Sequence, residues 1–164
     1  MIFYALAPKL PHERDRQAAV DRHGVAEKRS PVLEALVERA AKLFGATIGI
    51  ATVIDHQRMI VSAKHGTKMG DINRDISFCG HAIARPDEVM CVLDATQDKR
   101  FAGNPLVQND PSIRFYIGAP LVEPDGQVLG ALCAIDTRPR AALDPEQAEQ
   151  LRALAALATE ELLR

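Results

Sequence analysis

Apolar positions recur along this chain with two different periods, and the changes between them mark its elements. From Val32 to Phe44, the residues Val32, Leu33, Leu36, Val37, Ala40, Leu43 and Phe44 fall on one side of a 3.6-residue period. Ser30 offers an N-cap oxygen, Pro31 occupies the first helical position, where no N–H is needed, and Gly45 stops the run. Glu38 and Lys42 pair at i,i+4 on the opposite side. Upstream, Pro11 to Arg22 is polar apart from Ala18, Ala19 and Val20, which predicts a helix with a narrow buried face ending at Gly24. Met1 to Leu10 reads as a tail or first-turn extension. At the far end Asp144-Pro-Glu-Gln has the form of a capping box. The helix it opens carries a stripe of Leu151, Leu154, Ala155, Ala158 and Leu162, widened by Leu157 and Leu163.

Between these helices the period falls to two. Thr47 to Ile54 is β-branched and apolar on both faces, as an inner strand requires. After a tight turn at Asp55 to Arg58, Met59 to His65 alternates as a half-exposed strand. Gly66 to Asn73 is a loop. Ser77 then caps a short helix carrying Phe78, Cys79 and His81, and Pro86 ends it. Val89 to Leu93 is a compact strand, Asp94 to Phe101 a capped turn, and Ala102 to Pro111 mostly loop. Ile113 to Val122 is a strand in which Gly118 and Pro120 predict a bulge or an edge position. Glu123-Pro-Asp-Gly is a type I turn signal, so Gln127 to Ile135 returns antiparallel. The expected fold is α+β: an antiparallel sheet with long helices on one face and a short helix with loops over the other. A lid of loops tends to leave a cavity for a small molecule.

Composition narrows the class. At 164 residues the chain suits one domain, and a net charge of −2 with pI near 6.2 argues against nucleic acid as a partner. No apolar run is long enough to span a bilayer, and no secretory signal is evident. Three irregularly spaced cysteines suit reduced thiols in a cytoplasm better than a disulfide framework.

Four segments stand out in order along the chain: Asp75 to Ile83, Asp94 to Phe101, Ile113 to Leu121, and Leu129 to Arg140. Together they resemble the GAF domain family, most of all the bacterial sensor domains attached to histidine kinases and cyclic-di-nucleotide enzymes. The resemblance covers residues 30–164 and leaves residues 1–29 as an N-terminal helical segment. It implies a ligand pocket between sheet and lid, dimerisation through the terminal helices, and control of an output kinase or cyclase. No output domain follows Arg164, so the protein stands alone or this chain is a piece of a longer one.

The expected pocket residues are Phe78, Cys79, His81, Phe101, Arg114 and Tyr116. Each also has a plainer reading. Cys79 at a helix start is a reactive thiol or a small packed residue. His81 donates to a ligand's carboxylate or phosphate, or bonds a neighbouring loop carbonyl. Arg114 contacts a ligand or pairs with Asp94 or Asp136. Cys79, His81 and Cys91 lack a fourth ligand at a familiar spacing, so no metal is expected. Cys91 and Cys133 read as core, and no cofactor is named by the residues. Two alternatives come from the same family. Free methionine-R-sulfoxide reductases carry an attacking cysteine where residues 102–113 of this chain have none, and an acidic residue where Tyr116 stands. Bilin photoreceptors attach chromophore through a cysteine near the same stretch. The expectation is therefore a small-molecule-binding regulatory module with no chemistry of its own.

Overall fold

The computed structural model describes residues 2–164. Helices α1 (Glu13–His23) and α2 (Pro31–Leu43) precede strands β1 (Ile48–Asp55), β2 (Arg58–His65) and β3 (Ile72–Asn73). Helix α3 (Phe78–Ala82), strand β4 (Met90–Val92) and helix α4 (Pro105–Gln108) follow, then β5 (Phe115–Val122), β6 (Val128–Asp136) and helix α5 (Pro145–Leu163). The six strands form one antiparallel sheet in the order β3-β2-β1-β6-β5-β4. Every residue of β6, and all of β1 but its last, is buried, because these central strands are covered on both faces.

Alternation along the strands sorts the side chains. Ala51, Val53, Phe115, Ile117, Leu132 and Ala134 face α2 and α5, where Ala19 and Val20 of α1 join them. Ile48, Ile50, Tyr116, Ala131, Cys133 and Ile135 face the lid, made of α3, α4 and the loops around them. Fully burying each large aliphatic contributes about 1.5–3 kcal/mol, so both faces hold the sheet. The caps are as the sequence suggests at Ser30, whose Oγ accepts from the Val32 amide at 3.1 Å, and at Gly24, which stops α1 with φ 60°. At α5 only half of the expected box forms. Asp144 accepts from Glu146 at 2.9 Å, whereas Gln147 donates to the Leu43 carbonyl at 3.1 Å and ties α5 to the end of α2.

Several expectations change. The buried face of α1 is partly polar: Arg16 is 2% exposed and donates to the Val128 carbonyl at 3.2 Å. Gln17 spans Asp55 and the His56 amide at 2.7 Å each. Strand β5 is internal, not an edge; β4 pairs only with Tyr116–Gly118, and Pro120 lies past its end without a ladder bond to lose there. The bulge expected near the end of β5 falls between Leu121 and Val122. Cys91 is half-buried, turned with Ile117 towards the helix side.

The first residues are no loose tail. Residues 2–10 form a strap laid along the outside of the lid. The Ala5 amide donates to the Arg100 carbonyl at 2.9 Å, the Ala7 amide to Asp75 at 2.9 Å, and the Gly103 amide to Phe3 at 3.0 Å. Ile2, Phe3 and Leu6 remain exposed on its outer side.

Candidate functional site

Helix α3 is set by its cap. Ser77 Oγ accepts from the Gly80 amide at 2.9 Å and donates to the Arg74 carbonyl at 2.7 Å, which fixes the turn and directs Phe78 and Cys79 inward. Gly80 is required by contact: a Cβ there would lie 2.7 Å from both Ala7 Cβ and Ser77 Oγ. Phe101 enters from the turn after Asp98, closed by its amide donating to Asp98 at 3.0 Å. Phe78 stacks on Phe101 with ring centroids 4.0 Å apart, Tyr116 meets Phe78 at 5.2 Å, and His81 stands edge-on to Phe101 at 4.7 Å. Five of the six expected residues thus lie together.

Beneath the aromatics sits a polar triangle. The Tyr116 hydroxyl donates to Cys79 Sγ at 3.4 Å and lies 3.1 Å from Cys133 Sγ, while the two sulfurs are 3.3 Å apart. All three residues are buried, and each polar atom has the other two within reach as partners. Hydrogen bonding from Cys133 holds the Cys79 thiol below its ordinary value against the opposing effect of burial, with Thr52 and Tyr116 assisting. Burial pushes the Cys133 thiol and the Tyr116 phenol well up. Cys79 is the acidic member of the set. Cys91, outside it, is pushed up to about 11 by burial alone.

The remaining expected residues have definite places. His81 Nε2 donates to the Ala5 carbonyl of the strap at 3.2 Å, and burial holds its imidazole below the ordinary value. Arg114 stands apart from the aromatic group; its guanidinium donates to the carbonyls of Val107 at 2.9 Å and Ile113 at 3.0 Å, and not to Asp94 or Asp136. Asp136 instead takes Arg140 at 2.8 Å and Thr47 at 3.1 Å. Between sheet and lid only about 10 Å³ of space is left, lined by Ile50, Met59, Met69, Ile72, Leu106 and Tyr116 among others. The aromatic side chains fill the place where the sequence suggested a cavity. Wider clefts lie outside the lid, one of about 460 Å³ between α3 and β4 that includes His81, Arg85 and Arg100. Among the described residues, Asp21, Asp55 and His56 bring metal-type ligand atoms within 4.8 Å of one another, and the Gln17 amide donates to both carboxylates.

Sequence reasoning missed Cys133 and the strap. Cys133 was legible: the turn at Glu123-Pro-Asp-Gly sets a register that pairs Gly118 with Cys133. Tyr116 and Cys133 then share a face. Nothing in the sequence of residues 2–10 signalled a docked segment, since its hydrogen bonds run through backbone groups.

A curled antiparallel sheet, backed by long helices and closed by a lid of short elements, defines the class of fold. The chain belongs to the GAF domain family, whose GAF domain it matches over residues 29–162. The family is one of sensory and regulatory domains. Over 154 residues, 93% of the chain, it is 40% identical to a cyclic di-GMP phosphodiesterase of Pseudomonas aeruginosa, and it spans about a quarter (26%) of that relative's length. The expectation that the chain is no enzyme is corrected by this match, because the relative is named for an enzymatic activity. Solved structures share the fold. The GAF domain of an Acinetobacter phosphoenolpyruvate-protein phosphotransferase superimposes with TM-score 0.65 at 17% identity, covering 94% of each chain. Free methionine-R-sulfoxide reductase of Neisseria meningitidis gives 0.63 at 18%, covering 99% of this chain and 95% of that one. The GAF domain of Thermosynechococcus elongatus PixJ gives 0.62 at 22%, covering 96% and 90%. Among the described residues no helix is long and apolar enough to cross a membrane.

Proposed function

We propose that this chain is the regulatory domain of a cytoplasmic bacterial protein that turns over cyclic di-GMP, and that the packing of its lid sets the activity of a phosphodiesterase output. The observation that carries this reading is the 40% identity running through 93% of the chain, helices and lid alike, to a phosphodiesterase of that kind. It favours a phosphodiesterase over a kinase or cyclase as the output, in the same polypeptide or a partner. A small ligand would enter by parting the stack of Phe78 and Phe101, and would then meet Cys79, His81 and Tyr116. Arg114 acts through α4, whose carbonyl it holds. Two copies would pair through α2 and α5, where Val32 is 49% exposed and Leu157, 45% exposed, lines a groove with Leu43 and Ala153.

The test is an exchange. The chain replaces the aligned segment of the Pseudomonas relative, and cyclic di-GMP hydrolysis is followed with Phe101 intact or changed to Leu. Regulated hydrolysis that shifts several-fold on Phe101→Leu supports the reading. Hydrolysis indifferent to every lid substitution rejects it. Native mass spectrometry of the purified protein, before and after denaturation, identifies any small molecule carried in the lid.

A further inference from the structure

The Cys79–Cys133 juxtaposition stands on its own geometry and does not depend on the output proposed above. The two free thiols come from elements 54 positions apart in sequence, one on the lid and one on the central strand of the sheet, with sulfurs 3.3 Å apart. A disulfide needs a sulfur separation of about 2.05 Å, so bonding calls for a shift of little more than an ångström. A hydroxyl that can give or take a proton, that of Tyr116, reaches both sulfurs. The void between sheet and lid touches Cys79 and Tyr116 and has room for about one water-sized molecule. Cys91 has none of these features: it faces the helix side and has no thiol beside it.

We propose that Cys79 and Cys133 form a peroxide-responsive disulfide site that clamps the lid to the sheet. The oxidant is a hydroperoxide, hydrogen peroxide being the smallest. The Cys79 thiolate attacks one peroxide oxygen, the O–O bond breaks, and the released hydroxide takes a proton to leave as water. Cys79 is then a sulfenic acid. The Cys133 sulfur attacks the Cys79 sulfur, the S–S bond forms as the S–O bond breaks, and the Cys133 proton leaves with the hydroxyl as a second water. Tyr116, within reach of both residues, passes that proton from Cys133 to the departing hydroxyl. Two thiols have lost two electrons to one peroxide, and a dithiol reductant reverses the change. Cys79 is suited to the first step because its neighbours hydrogen-bond to its sulfur. The bond would draw α3 onto β6 and move Phe78, which shares the helix with Cys79.

The experiment treats the whole protein with equimolar hydrogen peroxide under native conditions, then alkylates, denatures and digests it. The expected result is the loss of two hydrogens in mass, a linked peptide joining Cys79 to Cys133, a free alkylated Cys91, and full reversal by dithiothreitol. Cys133→Ala is expected to stop the reaction at the sulfenic acid, captured on Cys79 by dimedone. Tyr116→Phe is expected to slow linkage several-fold without changing which cysteines join. A link between chains, oxidation confined to Cys91, irreversible sulfinic acid at Cys79 with Cys133 untouched, or no change at all would each overturn the proposal. Should the alanine variant not fold, the wild-type peptide map decides alone.

Discussion

Gly118 governs where the Tyr116 hydroxyl sits. A Cβ at position 118 would lie 2.8 Å and 2.9 Å from ring atoms of Tyr116, and nearer still to its hydroxyl, so only glycine lets the ring lie along the strand. Gly118→Ala is therefore expected to cost about 1–3 kcal/mol through overpacking. It should also speed labelling of Cys79 by a small thiol reagent; thermal melts and labelling rates check both. Glu13 makes a second residue-scale case. Burial raises its carboxyl, but hydrogen bonds and charge from Arg16 and Arg74 outweigh that and lower it to about 2 from 4.5. A depressed carboxyl stabilises the fold above its unfolded value and loses that contribution as pH falls through the folded one. Because Glu13 is partly exposed, Glu13→Gln should cost only about 0.5–1.5 kcal/mol at pH 7. The gap from wild type should close between pH 4.5 and about 2 in acid-unfolding curves.

At the scale of elements the strap matters most. Its bonds run to Arg100, Asp75, Gly103 and His81, which belong to three separate parts of the lid. Removing residues 2–10 should raise hydrogen exchange at Gly103, whose amide loses its Phe3 acceptor, and around α3, while α2 and α5 keep their protection. Equal loosening of the long helices would show that the strap supports the whole fold. The sequence foretold these elements unevenly, for physical reasons. Helices α2 and α5 and strands β1, β2 and β6 were legible because their burial follows a fixed period. Helix α1 was legible in extent, from Gly24, but not in function, since its buried Arg16 and Gln17 look like surface residues until their partners in the β1–β2 and β5–β6 hairpins are known. Of the site, Phe78 and Cys79 were legible through the motif around Ser77, Phe101 through the turn from Asp94, and Tyr116 through the strand from Ile113. Arg114 was misread, because it lies just before β5 begins and its side chain turns to α4. That the aromatics would fill their own cavity depended on ring packing, which no pattern of apolar positions encodes.

Across the whole molecule the two sheet faces divide the work: one is closed by aromatics and thiols, and the other carries α2 and α5 with an apolar edge still open. Leu157 is the centre of that edge, and α1 leaves it uncovered. Leu157→Glu is expected to leave the melting curve nearly unchanged while shifting the protein towards monomer in sedimentation runs at tens of micromolar, a range typical of moderate association. Unfolding instead would assign Leu157 to the core, and a wild-type monomer throughout would remove the dimer. The strap also has a mechanical side. Its bonds are arranged one after another from Phe3 to Ala7, so a pull on residue 2 loads them singly, as in peeling tape. A pull along the sheet would load many ladder bonds together. Held between residues 2 and 164 in an optical trap, the protein should release the strap first, at low force and in small steps. Nine residues give up to about 30 Å of slack before the sheet bears any load, and the lid would be freed while the core is still whole.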